Sequence, residues 1–115
     1  QMGGYKVQRD AERLMADATA AEAAGAFGIV LECIPAGLAT EISQKLEIPT
    51  IGIGAGEGCD GQVLVTNDLL GLREPEFTPK FLKQYADLTP IIAEAIAKYV
   101  GEVKSGKYPG PEHSY

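Results

Sequence analysis

Two short apolar runs, FGIVLE at 27–32 and IPTIGIGAG at 48–56, limit what this chain can fold into more than any other feature. Each is a continuous hydrophobic stretch of strand length rather than an alternating one, the pattern of a strand covered on both faces. Between them Leu38, Ile42 and Leu46 recur at helical spacing, and Pro35 stands where a first helical turn would start. A strand, a helix and a second buried strand make a right-handed parallel unit. The preceding segment DAERLMADATAAEAA (10–24) is rich in helix formers, and Leu14, Met15, Ala18 and Ala21 share one face. Gly25 then serves as its C-terminal stop.

Further along, QVLVTND (62–68) is a third candidate strand. Phe77, Phe81, Leu82 and Tyr85 predict a short helix, and Thr89-Pro90 an N-cap and first turn for a final one. Ile92, Ala95, Ile96, Tyr99, Val100 and Val103 are expected to line the buried side of that helix, which Gly106 ends. The tail KYPGPEHSY reads as a loop. The order helix, strand, helix, strand, strand, helix is that of an α/β fold with a parallel sheet. Three strands cannot close a barrel, and an eight-stranded βα barrel needs about 250 residues. The chain has 115 and opens on a Gly-Gly loop, QMGGYKVQ, so it is expected to be part of a longer polypeptide.

The net charge of −6 and pI near 4.7 disfavour a nucleic-acid or anionic-membrane partner, which would call for a basic patch. No apolar run is long enough to span a bilayer, and no signal-peptide pattern is visible. Cys33 and Cys59 lie in separate segments without metal-ligand spacing, so they are expected to be reduced, small hydrophobes of a cytoplasmic protein.

Three stretches bear on chemistry. Glu32 ends the first apolar run. Side chains at the C-terminal ends of parallel strands face the crevice where ligands bind, and a carboxylate in apolar surroundings there has the raised proton affinity of a general base. The alternative is a carboxylate that pairs with a cation or reaches solvent. GIGAGEGCDG has glycines at 52, 54, 56, 58 and 61 but is no dinucleotide fingerprint, because Glu57 and Cys59 stand where the last glycine would be required. It is no P-loop either, and reads as a tight strand exit or a phosphate-binding turn. In GGYKVQ, Tyr5 and Lys6 sit beside two glycines, and Lys6 is either an anchor for an anionic substrate or a surface charge. His113, the lone histidine, is given no role; Asp60 reads as a turn residue and Asp68 as a cap. No Ser-His-Asp set and no metal cluster can be assembled from these residues.

GGYKVQ, AAGAFGIVLECIPAGLA, IPTIGIGAGEGCDGQVLVTNDLLG and YPGPEHSY, in that order, resemble the C-terminal half of the ketopantoate hydroxymethyltransferase family. The resemblance implies a (βα)8 TIM barrel of the phosphoenolpyruvate/pyruvate superfamily, with this chain carrying about strands 6–8 and helices 5–8. Residues 1–115 would be the C-terminal half of one barrel domain, 1–9 the loop leading into it and 107–115 its tail. It implies transfer of a one-carbon unit from 5,10-methylenetetrahydrofolate to 3-methyl-2-oxobutanoate, giving 2-dehydropantoate for pantothenate and coenzyme A synthesis. It further implies Mg²⁺ held by ligands outside this chain and stabilising an enolate, an N-terminal half-barrel as partner, and a homo-oligomer, commonly a decamer. The family's base is the glutamate of its VLEC motif, here Glu32. One departure is visible: family members carry further residues between the positions of Gln8 and Arg9, which are adjacent here. The alternatives are another 2-keto-acid lyase or aldolase of the same superfamily, and a half-barrel that is inert when isolated.

Overall fold

Helix α1, Ala11–Ala23, starts where Asp10 caps it: the carboxylate accepts from the Arg13 amide at 3.1 Å. It stops at Gly25, whose φ of +93° only glycine adopts freely. There the Ala26 amide donates to Ala21 and the Gly25 amide to Glu22, a Schellman closure. The structure, a computed structural model, describes residues 6–72 and 78–115. They form two compact units, one holding the described residues up to Val65 with Thr78–Leu82, the other those from Thr66 with Lys83–Tyr115.

In the first unit, α1 leads to strand β1 (Ile29–Glu32), helix α2 (Ala36–Lys45) and strand β2 (Thr50–Ile53). A two-residue strand, β3 (Gly61–Gln62), comes next. All three strands are parallel in the order β1-β2-β3, with Ile29 opposite Thr50 and Glu32 opposite Ile53. Ile29 and Leu31 turn toward the helices, where Ala18, Leu38, Ala39, Ile42 and Leu46 form the core. Alternation puts Val30 and Glu32 on the opposite face, and both are exposed. The expectation of strands covered on both faces therefore holds for β2, where Ile53 is buried on that face too, and fails for β1. Among the described residues of this unit, nothing covers Val30 and Glu32 there.

Two carboxylates tie down the start of β2. Glu22 on α1 accepts from the backbone amides of Glu47 and Ile48, at 2.6 and 3.1 Å. Asp60 Oδ2 accepts from the amide of Thr50 at 2.8 Å and from its hydroxyl at 3.0 Å. Thr50 is fully buried, and the Ser43 hydroxyl of α2 lies 2.7 Å from its own. A buried strand start thus has its orphan donor satisfied by a side chain from a later loop. Asp60 is more than the turn residue its DG context implied.

The second unit begins with α3, Thr66–Leu69, so the third strand expected over 62–68 is cut short after Gln62. Asp68, expected as a cap, lies buried within α3 itself. The carbonyls of Leu69 and Leu70 accept from the amides of Tyr85, Ala86 and Leu88, which satisfies the end of α3. The helix expected near Phe81–Tyr85 is absent; a turn at Lys80–Phe81 and chain without regular secondary structure stand there, and Phe77 lies outside the described residues. Helix α4 spans Thr89–Lys104. Pro90 sits in its first turn as expected, whereas Thr89 is already helical and its hydroxyl donates to the Gly71 carbonyl. Gly106, at φ +71°, closes α4 as Gly25 closes α1. The tail forms a short 3-10 helix, η1 (Pro111–His113), and Tyr108 sets its ring edge-on to Tyr99, centroids 5.6 Å apart.

One expectation for α4 is overturned. None of its residues is buried: Ile96 is 58% and Tyr99 55% exposed. The apolar stripe is real, but no described element of its own unit covers it. A polypeptide of these 115 residues should therefore self-associate through that stripe and the unpaired edge of β1. Sedimentation velocity checks this; a monomer that melts cooperatively would contradict it.

Candidate active site

Glu32 is the last residue of β1, at the C-terminal end of a parallel sheet, as expected. Its backbone position is well held. The next amide, that of Cys33, donates to the Ile53 carbonyl at 2.9 Å, and the Cys33 carbonyl accepts from the Gln8 amide at 3.0 Å. The side chain is exposed, so the apolar enclosure expected of a general base is not formed by the described residues. A cleft of about 210 Å³ runs along the outer edge of β1, and Gln8, Leu14, Asp17 and Glu32 are among its lining residues.

The strand ends abruptly. Cys33 has φ of +53°, the sole left-handed residue other than glycine among the described residues. Such a conformation costs a side-chain-bearing residue about 1–2 kcal/mol. Its consequence shows in the burial pattern. In an uninterrupted strand residue 34 would share a face with residue 32. Ile34 instead joins Leu31 in the core, while Glu32 stays on the open face. β2 ends in the same way at the same level: Ile53 pairs with Glu32, Gly54 comes next at φ +63°, and Ala55 drops into the core. The same backbone device closes both strands, with glycine in one and cysteine in the other. Cys33 itself is 5% exposed. Burial, and then the neighbouring Glu32 charge, push its thiol up, so it stays protonated beside the carboxylate.

The glycine-rich loop after β2 is held by contact. A Cβ on Gly54 would fall 2.8 Å from the Phe81 ring; one on Gly56 would strike the Ala36 methyl, and one on Gly58 the Thr40 hydroxyl. Ala36 and Thr40 belong to the first turns of α2. The loop thus lies against that helix so closely that side chains are excluded, and the Gln62 amide group clasps the Gly56 carbonyl at 2.9 Å. These contacts account for the glycines as a tight strand exit.

Lys6 is exposed, and Tyr5 falls outside the described residues. His113 accepts through Nδ1 from the Gly110 amide at 3.1 Å and packs at a tilt against the Tyr108 ring, centroids 5.1 Å apart, which makes it a lock on the tail. Among the described residues no three His, Cys, Asp or Glu side chains converge in a way that could hold a metal ion. The Mg²⁺ implied by the resemblance therefore has no fitting donor set here. Sequence reasoning missed the conformation of Cys33, because cysteine, unlike glycine or asparagine, carries no signal for the left-handed region.

Comparisons with known proteins agree with one another. The family model described as ketopantoate hydroxymethyltransferase matches residues 1–111. The chain is 57% identical over 119 aligned positions to the 3-methyl-2-oxobutanoate hydroxymethyltransferase of Syntrophotalea carbinolica. It is 60% identical over 118 positions to that of Trichlorobacter lovleyi. Each alignment covers all of this chain and 44% of the relative, so the chain spans less than half the length of the curated relatives it matches.

Two outcomes test this geometry in the complete protein. Gly58→Ala should lower stability by about 1–3 kcal/mol in denaturant titration, because the added methyl meets Thr40. Asp60 is held below its ordinary value, first by the Thr50 backbone amide and then by the Thr50 hydroxyl. A depressed carboxylate stabilises the fold above its unfolded value of about 4 and loses that contribution as pH falls through the still lower folded one. Acid unfolding below about pH 4 should therefore depend less steeply on pH in Asp60→Asn than in the parent.

Proposed function

Because the chain belongs to the ketopantoate hydroxymethyltransferase family, we propose that it forms the C-terminal part of a transferase in pantothenate synthesis. In this reading it contributes about the last three strands of a (βα)8 barrel, and the rest of the barrel comes from sequence outside these 115 residues. The reaction moves a one-carbon unit from 5,10-methylenetetrahydrofolate to 3-methyl-2-oxobutanoate, giving 2-dehydropantoate.

Glu32 is the proton acceptor. The observation that carries this assignment is its place at the C-terminal end of β1, on the face of the sheet away from the helices. That is where βα barrels gather their reacting groups. The keto acid has a single hydrogen at C3, next to the carbonyl. Removing it leaves an enolate whose C3 forms the new carbon–carbon bond to the one-carbon unit. Water supplies the hydroxyl oxygen, and tetrahydrofolate leaves. A carboxylate is a weak base in water, and enclosure raises its proton affinity. In this reading the enclosure comes from the part of the barrel beyond these residues. Any Mg²⁺ in the complete enzyme draws no ligand cluster from the described residues. Val30 and Ile51 pair two register steps before Glu32 and Ile53, on the same face, and supply apolar floor on that side of the sheet.

Glu32→Gln in the complete protein keeps the shape of the side chain and removes its basicity. It should still bind 3-methyl-2-oxobutanoate but exchange the C3 hydrogen for solvent deuterium about 10²–10⁴-fold more slowly. Exchange at the parent rate, tracked by proton NMR in deuterated buffer, would overturn the assignment.

A further inference from the structure

We infer that Cys33 is a positioning residue for Glu32 and acts through its backbone conformation rather than its thiol. The inference rests on Glu32 being the base. Cys33 alone among the described non-glycine residues is left-handed, at φ +53°. It is clamped on both sides, its amide to Ile53 and its carbonyl to Gln8. And the chain changes face at this residue: Glu32 stays on the open side of the sheet while Ile34 enters the core with Leu31.

The change of face has a direct consequence for the carboxylate. Were residue 33 extended, alternation would bring Ile34 onto the same face as Glu32, and its side chain would occupy the space next to the base. The left-handed turn removes it. It also halts the strand, so that Glu32 is the last side chain before the chain leaves for α2. The neighbouring strand does the same at Gly54, in register, where no side chain opposes the conformation. Glycine is therefore compatible with this backbone at the equivalent step. The thiol is buried and neutral, and its burial denies it access to a bulky substrate.

The two modes of action predict opposite patterns of substitution. Cys33→Gly and Cys33→Ala both remove the thiol and tolerate the left-handed region at least as well as cysteine. Cys33→Val removes it too, but a β-branched residue is strongly disfavoured there. The test measures, in the complete protein, the rate of C3 deuterium exchange in 3-methyl-2-oxobutanoate alongside its dissociation constant. With Gly and Ala, exchange should stay within about threefold of the parent. With Val it should fall on the order of 100-fold while the dissociation constant changes by less than about threefold, as expected when a base is moved by an ångström or so. If Val fails to bind the keto acid, Cys33→Thr, also β-branched, takes its place under the same criterion, and the Gly and Ala arms are read as before. A drop in exchange of about tenfold or more in either, with binding retained, would mean the thiol matters and would overturn the inference; parent-like exchange in Val would overturn it equally. Glu32→Gln in the same assay separates the two layers. If it exchanges normally the base assignment falls; if it is inactive and Val is normal, only the positioning role falls.

Discussion

The parallel ladder between β1 and β2 is the constraint on which the rest of the first unit depends. Its register sets Glu32 beside Ile53 and fixes which residues of both strands meet the helices. A slip of one residue would send Leu31 out of the core and Glu32 into it, at a cost of several kcal/mol for an unpaired buried carboxylate. The ladder is secured at both ends. At the start of β2, Glu22 and Asp60 hold the backbone amides of Glu47, Ile48 and Thr50. At the far end, paired left-handed residues stop both strands at one level. Strand ends that finish together make a rim, and Glu32 stands on it.

The glycine-rich loop belongs to the same construction. Gly56 and Gly58 allow the chain leaving β2 to lie against Ala36 and Thr40, at the beginning of the helix that comes after Glu32. The exit of one strand thus braces the exit of the other. A motif that invites comparison with phosphate loops is explained by packing between two βα turns, and its glycines are needed for the neighbour they meet.

Much of this was legible in the sequence, for reasons that can be traced to particular residues. The two apolar runs became β1 and β2, and the Leu38-Ile42-Leu46 stripe became the buried side of α2, because local period and burial point the same way there. Gly25 and Gly106 announced helix ends because few other residues tolerate their backbone angles. Three things were not legible. The carboxylate clasps of Glu22 and Asp60 join residues 25 and 10 positions apart, beyond the reach of any local pattern. The left-handed turn at Cys33 is imposed by its surroundings on a residue that does not favour it. The uncovered stripe of α4 reads as a core face, and periodicity cannot tell whether the partner lies within the same chain. The position of Glu32 was readable; its exposure, which depends on what lies over it, was not.

Catalysis in this scheme turns on Glu32 meeting the reacting carbon. The most direct test is a crystal structure of the complete protein with 3-methyl-2-oxobutanoate bound. A Glu32 carboxylate oxygen should lie about 3–3.5 Å from C3 of the keto acid, on the side of its hydrogen. A keto acid seated with C3 beyond that reach, and another basic group beside it, would contradict the role given to Glu32.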